Sequence, residues 1–373
     1  MHRAIWEYLI PSPDEKKQLW NGCVFVFDTN VLLNLYRYTA NTRDTLLTAL
    51  DDLKDRVWIP YQVAYEYAKN RFDVICETIE KYSKLEKTKE SFIGQYATEL
   101  RLKPDDVAIK HLDDAISKWL VEQKEKNLLV TQVSDDEILK KVLNIFDGKV
   151  GNPFNQDELD KIRAEGKERY DKQIPPGFCD AKKAVAGAEN NAYGDLIVWK
   201  EILAYATTEH KDIIYVTHDQ KRDWWEISKG KTVGPRVELR KEFFDKTKQK
   251  FYMYSMESFL EQYSNLEGKI PDRSVIEEVT HIEKEAKKKK KNKTVTSYDS
   301  QLALKRSIAE LQERIDRRQR AITRLQVKYN GRQLPVDVAI QLENTEKKKQ
   351  DLQRQLDKKL AKLETYDYEM AGR

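Results

Sequence analysis

Residues 23–30 read CVFVFDTN, an unbroken apolar run that ends at Asp28. A run of this length without alternation is typical of a strand buried on both faces of a parallel sheet. The carboxylate of Asp28 would then lie at the carboxyl end of the strand, where the ligands of open α/β sheets bind. Taken alone, an aspartate at this position is explained equally well as the N-cap of the following helix.

Three further apolar runs repeat the pattern, at 57–60 (VWIP), 213–217 (IIYVT) and 251–255 (FYMYS). Helical patterns lie between them, one running from Tyr61 to about Ile79 and another beginning at Gly194. Alternating strands and helices predict an α/β fold with a mostly parallel sheet. The carboxyl ends of parallel strands share one edge, so Asp219, which follows the third run, is expected beside Asp28.

The predicted helices carry two more carboxylates. Glu66 lies in the second turn of the helix that begins at Tyr61, and Asp195 follows Gly194 at the start of another helix. Individually, exposure to solvent accounts for Glu66 and helix capping accounts for Asp195. Four like charges at one sheet edge persist mainly when a cation binds them, and a ligand set of oxygens alone selects Mg²⁺ or Mn²⁺. The pattern therefore predicts a metal-binding, catalytic cluster of Asp28, Glu66, Asp195 and Asp219.

The order of these motifs resembles that of a PIN domain, with DTN at 28–30, a glutamate in the helix after the second strand, GD at a helix start and a strand ending in T-x-D. Three stretches resemble the bacterial PIN-like subgroup with a large helical insertion: 174–183 (IPPGFCDAKK), 193–203 (YGDLIVWKEIL) and 216–225 (VTHDQKRDWW). The resemblance covers about residues 20–265. It implies a PIN-like three-layer α/β domain and a metal-dependent endonuclease, with RNA favoured over DNA and a defence or toxin-type role.

Further residues take roles from the resemblance or from their position. The resemblance implies the four carboxylates as ligands of Mg²⁺ or Mn²⁺, and it adds Asp180 as a fifth. Residues expected to orient the carboxylates are Thr29, Asn30, Thr217 and Asp223, the last from the subgroup pattern. Residues expected to hold the phosphate backbone are Lys182, Lys183, Lys221 and Arg222, with a solvated basic face as the alternative. Trp224 and Trp225 could stack a base, although a place in the core is the favoured interpretation.

Two segments depart from a compact PIN pattern. Residues 80–175 are rich in Lys and Glu, have apolar positions at helical spacing, and predict a helical insertion within a domain of residues 1–268. That insertion would form a wall or lid over the site, or an interaction surface. Residues 269–298 include a lysine run and predict a polar linker, for which solvation is favoured over contact with nucleic acid.

Residues 299–373 predict an antiparallel coiled-coil hairpin. The first helix keeps a heptad of apolar residues: Leu304, Ile308, Leu311, Ile315, Ile322, Leu325 and Tyr329. After a turn at 330–335 (NGRQLP), a second helix has a weaker seam: Leu342, Leu352, Leu356, Leu363 and Met370. A two-helix hairpin buries little by itself, so we expect a homo-oligomer or a partner protein bound through the coiled coil.

The composition excludes several other classes. Among 373 residues, 67 Lys and Arg against 63 Asp and Glu give a net charge of +4, which is too small to argue for nucleic acid. The three cysteines have no metal spacing and favour a reducing compartment. No apolar run approaches the roughly 20 residues of a membrane span, and the first residues lack the apolar core of a signal peptide. A cytoplasmic protein without a membrane partner is expected.

Two other functions stay open from the sequence. One is a catalytically silent PIN-like scaffold that assembles through the coiled coil. Loss of a carboxylate would favour it, but all four are present. The other is a phosphatase of the haloacid-dehalogenase kind, whose motif needs a second aspartate two residues after the first. Asn30 stands at that position and argues against it.

Overall fold

A computed structural model describes residues 5–101, 106–127, 136–181, 192–266, 268, 272–328 and 335–371. Its strands are β1 (Val24–Phe27), β2 (Val57–Trp58), β3 (Ile213–Thr217), β4 (Trp225–Ser228), β5 (Lys231–Pro235) and β6 (Phe251–Ser255). Its first helices are α1 (Pro13–Gly22), α2 (Thr29–Asn34), α3 (Ala40–Asp52), α4 (Tyr61–Glu99), α5 (Val107–Asn127), α6 (Glu137–Ile145) and α7 (Gln156–Asp171). The helices that follow are α8 (Gly194–Glu209), α9 (Val237–Thr247), α10 (Met256–Leu266), α11 (Arg273–Lys328) and α12 (Val336–Ala371).

Four parallel strands form the central sheet, in the order β2-β1-β3-β6. In this register Val26 pairs with Trp58 on one side and with Tyr215 on the other. β1 is buried along its whole length, as expected of a strand that is covered on both faces. The predicted α/β fold with a parallel sheet is therefore confirmed, and each strand overlaps the apolar run that predicted it.

Helices cover both faces of this sheet. On one face, Phe25 packs against Trp20 of α1 and Phe259 of α10, with ring centroids 4.8 and 5.9 Å away. On the other face, Trp199 of α8 lies edge-on to Phe251, with a centroid distance of 5.0 Å. The fold therefore has three layers, with the sheet in the middle.

An additional two-stranded sheet was not expected from the sequence. β4 and β5 pair antiparallel around Lys229 and Gly230, whose φ angles of 47° and 77° are left-handed. Glycine adopts this conformation freely, whereas lysine does so under some strain. Both strands are short and largely exposed, so they lack the apolar run that identifies a buried strand. Trp224 and Trp225 are buried where this hairpin begins, which confirms their predicted place in the core.

The helical insertion is confirmed, but its first helix is longer than predicted. α4 continues from Tyr61 to Glu99, without the expected end near Ile79. Residues 80–93 contain neither glycine nor proline, so no helix-stopping signal lies there. The rest of the described insertion consists mainly of α5, α6 and α7.

The chain divides into two compact units, and the second comprises the described residues from 284 onward. In that unit α11 and α12 share a buried apolar cluster: Ile308, Leu311, Ile315, Leu352 and Leu356, with Leu304 packed against it. These residues belong to the two predicted seams. Tyr329 and residues 330–334 of the turn predicted at 330–335 lie outside the described residues.

The segment predicted as a linker, 269–298, is not irregular where it is described. α11 runs through it from Arg273 to Lys328. Lysine and glutamate make up most of residues 283–293 and are good helix formers, so this charged stretch favours a helix rather than an irregular linker. Among the described helices, none is both long and apolar enough to cross a membrane.

Candidate active site

Asp28 lies where β1 ends and α2 begins, beside the end of β3. Its backbone N–H donates to Val216 O at 2.9 Å, which continues the pairing of the two strands. Its carboxylate accepts hydrogen bonds from the Thr29 backbone N–H at 2.7 Å and from the Thr217 hydroxyl at 2.6 Å. The Asn30 amide donates a third, at 2.6 Å. Both carboxylate oxygens are therefore oriented by uncharged donors.

Glu66 of α4 reaches the same region. Its Oε2 accepts from the Thr29 hydroxyl at 3.1 Å, and its Oε1 accepts from the Gln62 side chain at 2.8 Å. A Cβ atom on Gly194 would lie 2.9 Å from Glu66 Oε1, so this glycine allows the start of α8 to approach the carboxylate. We call Asp28 and Glu66 the neutral half of the site, because uncharged groups hold them.

Three aspartates lie around the side chain of Lys221. Lys221 Nζ is 2.8 Å from Asp219 Oδ2 and 2.9 Å from Asp180 Oδ2. It is also 3.1 Å from Asp195 Oδ2. The three aspartates come from the loop after β3, the segment before α8 and the first turn of α8. We call these four residues the charged half of the site.

The Thr217 hydroxyl joins the two halves. It donates to Asp28 and accepts the backbone N–H of Asp219 at 2.8 Å. Asn30 supports the same link, because its amide oxygen accepts the His218 backbone N–H at 3.0 Å. The parallel pairing of β1 with β3 brings these residues to one edge of the sheet. Their contacts are those of groups that orient carboxylates, while their role in catalysis stays a prediction.

Burial and repulsion from neighbouring carboxylates disfavour ionisation of Asp28 and Asp195. Burial raises the pKa of Asp28 to about 6, and the charges of Asp219 and Glu66 add to the increase, against the hydrogen bond from Thr217. Burial also raises the pKa of Asp195, although the charge of Lys221 opposes it. For Lys221, burial favours the neutral amine, but the charges of the surrounding carboxylates outweigh this effect and raise its pKa. The site thus holds more negative charge than its own cation balances.

Asp223 fixes the segment that carries Asp180. Its side chain is fully buried, and its Oδ2 accepts the backbone N–H groups of Gly177 (3.2 Å) and Cys179 (2.9 Å). Gly177 has a φ of +94°, a conformation that favours glycine. Within the described residues, Asp223 Oδ1 has no hydrogen-bond partner. Asp223 thus contacts the backbone of the loop that carries Asp180, and its expected role in orienting the carboxylates stays a prediction.

Two of the four basic residues predicted to hold phosphate, Lys221 and Arg222, belong to the described chain. Lys182 and Lys183 lie outside the described residues. Lys221 contacts three of the carboxylates, and its expected contact with phosphate stays a prediction. Arg222 places its guanidinium 5.6 Å from the centroid of the Phe178 ring.

Two residues near the site were missed by the sequence analysis. Gln62 donates to Glu66, and the spacing of four residues on one helix could have indicated it. Glu201 of α8 accepts the Gln62 backbone N–H at 3.0 Å and so caps α4, whose N-cap Pro60 provides no side-chain acceptor. Burial raises the pKa of Glu201 to about 7. No sequence pattern links Glu201 to α4, because the contact is between distant elements.

The arrangement is not a ready-made metal site. In the part of the chain that is described, no three His, Cys, Asp or Glu side chains are placed together as ligands of one ion. Three carboxylates instead surround the Lys221 ammonium, and two more lie beside them. The site is therefore an acidic, partly buried cluster that already holds one positive charge.

Comparison of the chain with models of known protein families identifies its family. A family model described as PIN like domain matches residues 24–239, which is more than half of the chain. The match begins in β1, ends in α9 and includes all five carboxylates. Neither a curated protein nor a solved structure matches the chain.

Proposed function

Because the chain belongs to the family of PIN-like domains, we propose that it is a divalent-metal-dependent endonuclease that hydrolyses phosphodiester bonds, with RNA favoured over DNA. The observation that carries the proposal is the convergence of Asp180, Asp195 and Asp219 on one positive charge. Their three separate segments meet at the sheet edge where open α/β folds bind their ligands. Asp28 and Glu66 complete the acidic surface beside them.

The donor set fits a hard divalent cation. The candidate ligands are Asp28, Glu66, Asp180, Asp195 and Asp219, all of which bind through carboxylate oxygens, as Mg²⁺ and Mn²⁺ prefer. The Lys221 ammonium supports the fit, because it is a cation held at the meeting point of three of them. When bound, Mg²⁺ or Mn²⁺ would supply positive charge at the scissile phosphate and increase the acidity of water.

The chain's own residues hold the carboxylates in place for this chemistry. Thr217 and Asn30 fix Asp28, and Gln62 fixes Glu66, so these two carboxylates need little rearrangement when substrate arrives. Lys221 adds a positive charge next to the position of the reacting phosphate. Water would displace the leaving 3′ oxygen in line, without a covalent intermediate, and the product would carry a 5′-phosphate.

A catalytically silent scaffold is the second candidate. It is favoured by the Lys221 ammonium, which already neutralises part of the charge in the place where a metal would bind. In a scaffold this ion-pair cluster would only stabilise the fold. The two candidates differ in their dependence on divalent cations. An endonuclease needs them for cleavage, whereas a scaffold keeps its fold and assembly in EDTA.

The deciding experiment uses purified full-length protein and end-labelled single-stranded RNA and DNA. We expect cleavage in Mn²⁺ or Mg²⁺, none in EDTA, and products that carry 5′-phosphates. Faster cleavage of RNA supports the proposed preference, and faster cleavage of DNA contradicts it. Intact RNA and DNA in both metals would leave the scaffold as the function.

The C-terminal hairpin is proposed as the assembly element, either between copies or with a partner protein. Among the described residues, its two helices share a small apolar cluster, and Val327 and Ile340 are exposed outside that cluster. We expect a dimer of the full chain and a monomer when residues 294–373 are removed, as measured by light scattering. A monomeric full chain would instead assign the hairpin to a different partner.

A toxin-type or defence role is the last part of the proposal, and it is supported by the family resemblance. Uncontrolled cleavage of cellular RNA would arrest growth. We expect induced expression of the wild-type chain to slow growth and expression of Asp28→Asn to leave it unchanged. Equal growth at equal protein levels would contradict this role without affecting the cleavage assay.

A further inference from the structure

An exposed aromatic strip lies on α4 beside the acidic site. Tyr61 and Tyr65 expose 38% and 48% of their surface. Their rings are nearly parallel, with an interplanar angle of 16° and centroids 6.4 Å apart. Lys69 lies one turn further along, with its Nζ 5.7 Å from the centroid of the Tyr65 ring. We call these three residues the aromatic strip.

The helix itself fixes the strip next to the neutral half of the site. Successive residues of an α-helix are about 100° apart, so Tyr65 is about a quarter turn from Glu66. Val63 and Tyr67 are buried and define the core-facing side of α4. Glu66 lies between that buried side and the exposed strip. A ligand that reaches the carboxylates from the outer side of α4 would therefore pass over the two tyrosines.

We propose that the aromatic strip is a binding subsite for a single strand of RNA, on which bases stack while Lys69 faces the phosphate backbone. The proposal rests on the endonuclease function and adds where the strand lies. Unpaired bases stack on exposed aromatic rings, and a nearby cation suits the backbone. A double helix keeps its bases paired and inside, so the subsite selects single strands.

Two other aromatic pairs among the described residues lack this combination of exposure and place. Trp224 and Trp225 follow the charged half in sequence, but both are buried. Phe92 and Tyr96 are exposed and form a second aromatic pair on α4, with centroids 4.5 Å apart. They lie about 41 and about 47 Å from Tyr65 along the helix, at 1.5 Å per residue. This second pair is therefore a matched control for stacking that is remote from the site.

The test measures binding of a fluorescent single-stranded RNA to the full chain in EDTA, where no cleavage is expected. We expect Tyr61→Ala with Tyr65→Ala to weaken binding by about tenfold or more, since each base–aromatic stack contributes substantially. Tyr61→Phe with Tyr65→Phe should retain the affinity, because the rings remain. Phe92→Ala with Tyr96→Ala should also retain it, and the melting temperatures of all three variants should match the wild type.

Cleavage kinetics in Mn²⁺ provide a second measurement. The alanine pair should raise KM with little change in kcat, as expected when binding is lost without loss of the reacting groups. Unchanged RNA affinity in the alanine pair overturns the subsite, as does an equal loss in the remote pair. If the wild type cleaves RNA in those cases, the endonuclease function stands. If the wild type binds RNA through the strip but does not cleave it, the subsite stands and the function fails.

Discussion

The two halves of the acidic site balance their charge in different ways. In the neutral half, hydroxyl and amide groups orient Asp28 and Glu66 without adding charge. In the charged half, one ammonium lies among three aspartates. Uncharged donors fix the position of a carboxylate but leave its negative charge, whereas an ammonium cancels part of it.

The difference indicates how each half would respond to a metal ion. Hydrogen bonds from the protein hold the two carboxylates of the neutral half, so it offers preformed ligands. The charged half already has a counter-ion, so a divalent cation there competes with Lys221. The following predictions separate these two kinds of support.

The largest expected effect is that of Asp28→Asn in the neutral half. The substitution removes one negative ligand at the junction of the two halves and should abolish cleavage of RNA in Mn²⁺. Thr217 and Asn30 both donate to Asp28, so an asparagine loses part of this hydrogen bonding while it relieves repulsion. These effects oppose each other, and we expect a melting temperature in EDTA close to that of the wild type. Cleavage at the wild-type rate would remove Asp28 from the site.

The second largest effect is expected for Lys221→Met in the charged half, and it is a loss of stability. Without metal, the variant leaves three aspartates without their counter-ion and should lose about 2 kcal/mol of unfolding free energy, given the partial exposure of the group. Because ligand binding to the folded state stabilises it, Mn²⁺ should restore more stability to the variant than to the wild type. Denaturant titrations in EDTA and in Mn²⁺ measure both.

Lys200→Met is the matched control for that prediction. Lys200 Nζ is also largely buried and contacts both oxygens of Glu165, at 2.6 and 2.7 Å, but it lies outside the acidic site. Its loss should reduce stability without any rescue by Mn²⁺. If Mn²⁺ restores the stability of both variants equally, the metal acts elsewhere, and the prediction that Lys221 and a metal compete for the same aspartates is wrong.

Glu242 shows what a carboxylate does when protein cations fully balance it. Burial alone would raise its pKa, but Arg169 and Lys246 overcome this, with Trp199 donating as well, and the pKa falls from 4.5 to about 2. A lowered folded-state pKa means that the ionised form stabilises the fold. Its contribution, about 3 kcal/mol, is complete well above pH 4.5 and is lost as the pH falls towards 2.

Glu242→Gln should therefore reduce stability at neutral pH and remove this part of the acid dependence. Unfolding free energies measured between pH 7 and pH 2 test it: the curves of variant and wild type should converge at low pH. A constant difference across this range would show that packing, rather than ionisation, is the contribution of Glu242.

Much of the site could be predicted because it depends on local patterns. The apolar runs identify β1 and β3, and parallel pairing then requires Asp28 and Asp219 to share an edge. Gly194 and Asp195 are recognised as a helix start. The confirmed three-layer fold follows from the alternation of such elements.

The features of the site that the sequence did not predict depend on contacts between distant segments. The position of Lys221 is set by the loop after β3, where Trp225 Nε1 donates to Asp219 O at 2.5 Å and Lys221 N donates to Asp219 Oδ1 at 2.9 Å. No spacing in the sequence indicates that this lysine turns inward. The capping of α4 by Glu201 is of the same kind, since it joins two helices that are far apart in the chain.

The smallest expected change in stability, with a clear change in activity, is that of Gly194→Ala. The new methyl group would lie 2.9 Å from Glu66 Oε1, the end of a flexible side chain that can move away, so we expect little loss of stability. Displacing the Glu66 carboxylate disturbs the neutral half, and cleavage should slow by about tenfold, as when a group that positions a metal ligand is lost.

Gly94→Ala is the control, because nothing lies within 4 Å of its added methyl group. In the exposed interior of α4 that change should add about 0.5–1 kcal/mol of stability and leave cleavage unchanged. If Gly194→Ala cleaves as fast as Gly94→Ala, the position of Glu66 does not limit the reaction, and the neutral half needs less preorganisation than its hydrogen bonds suggest.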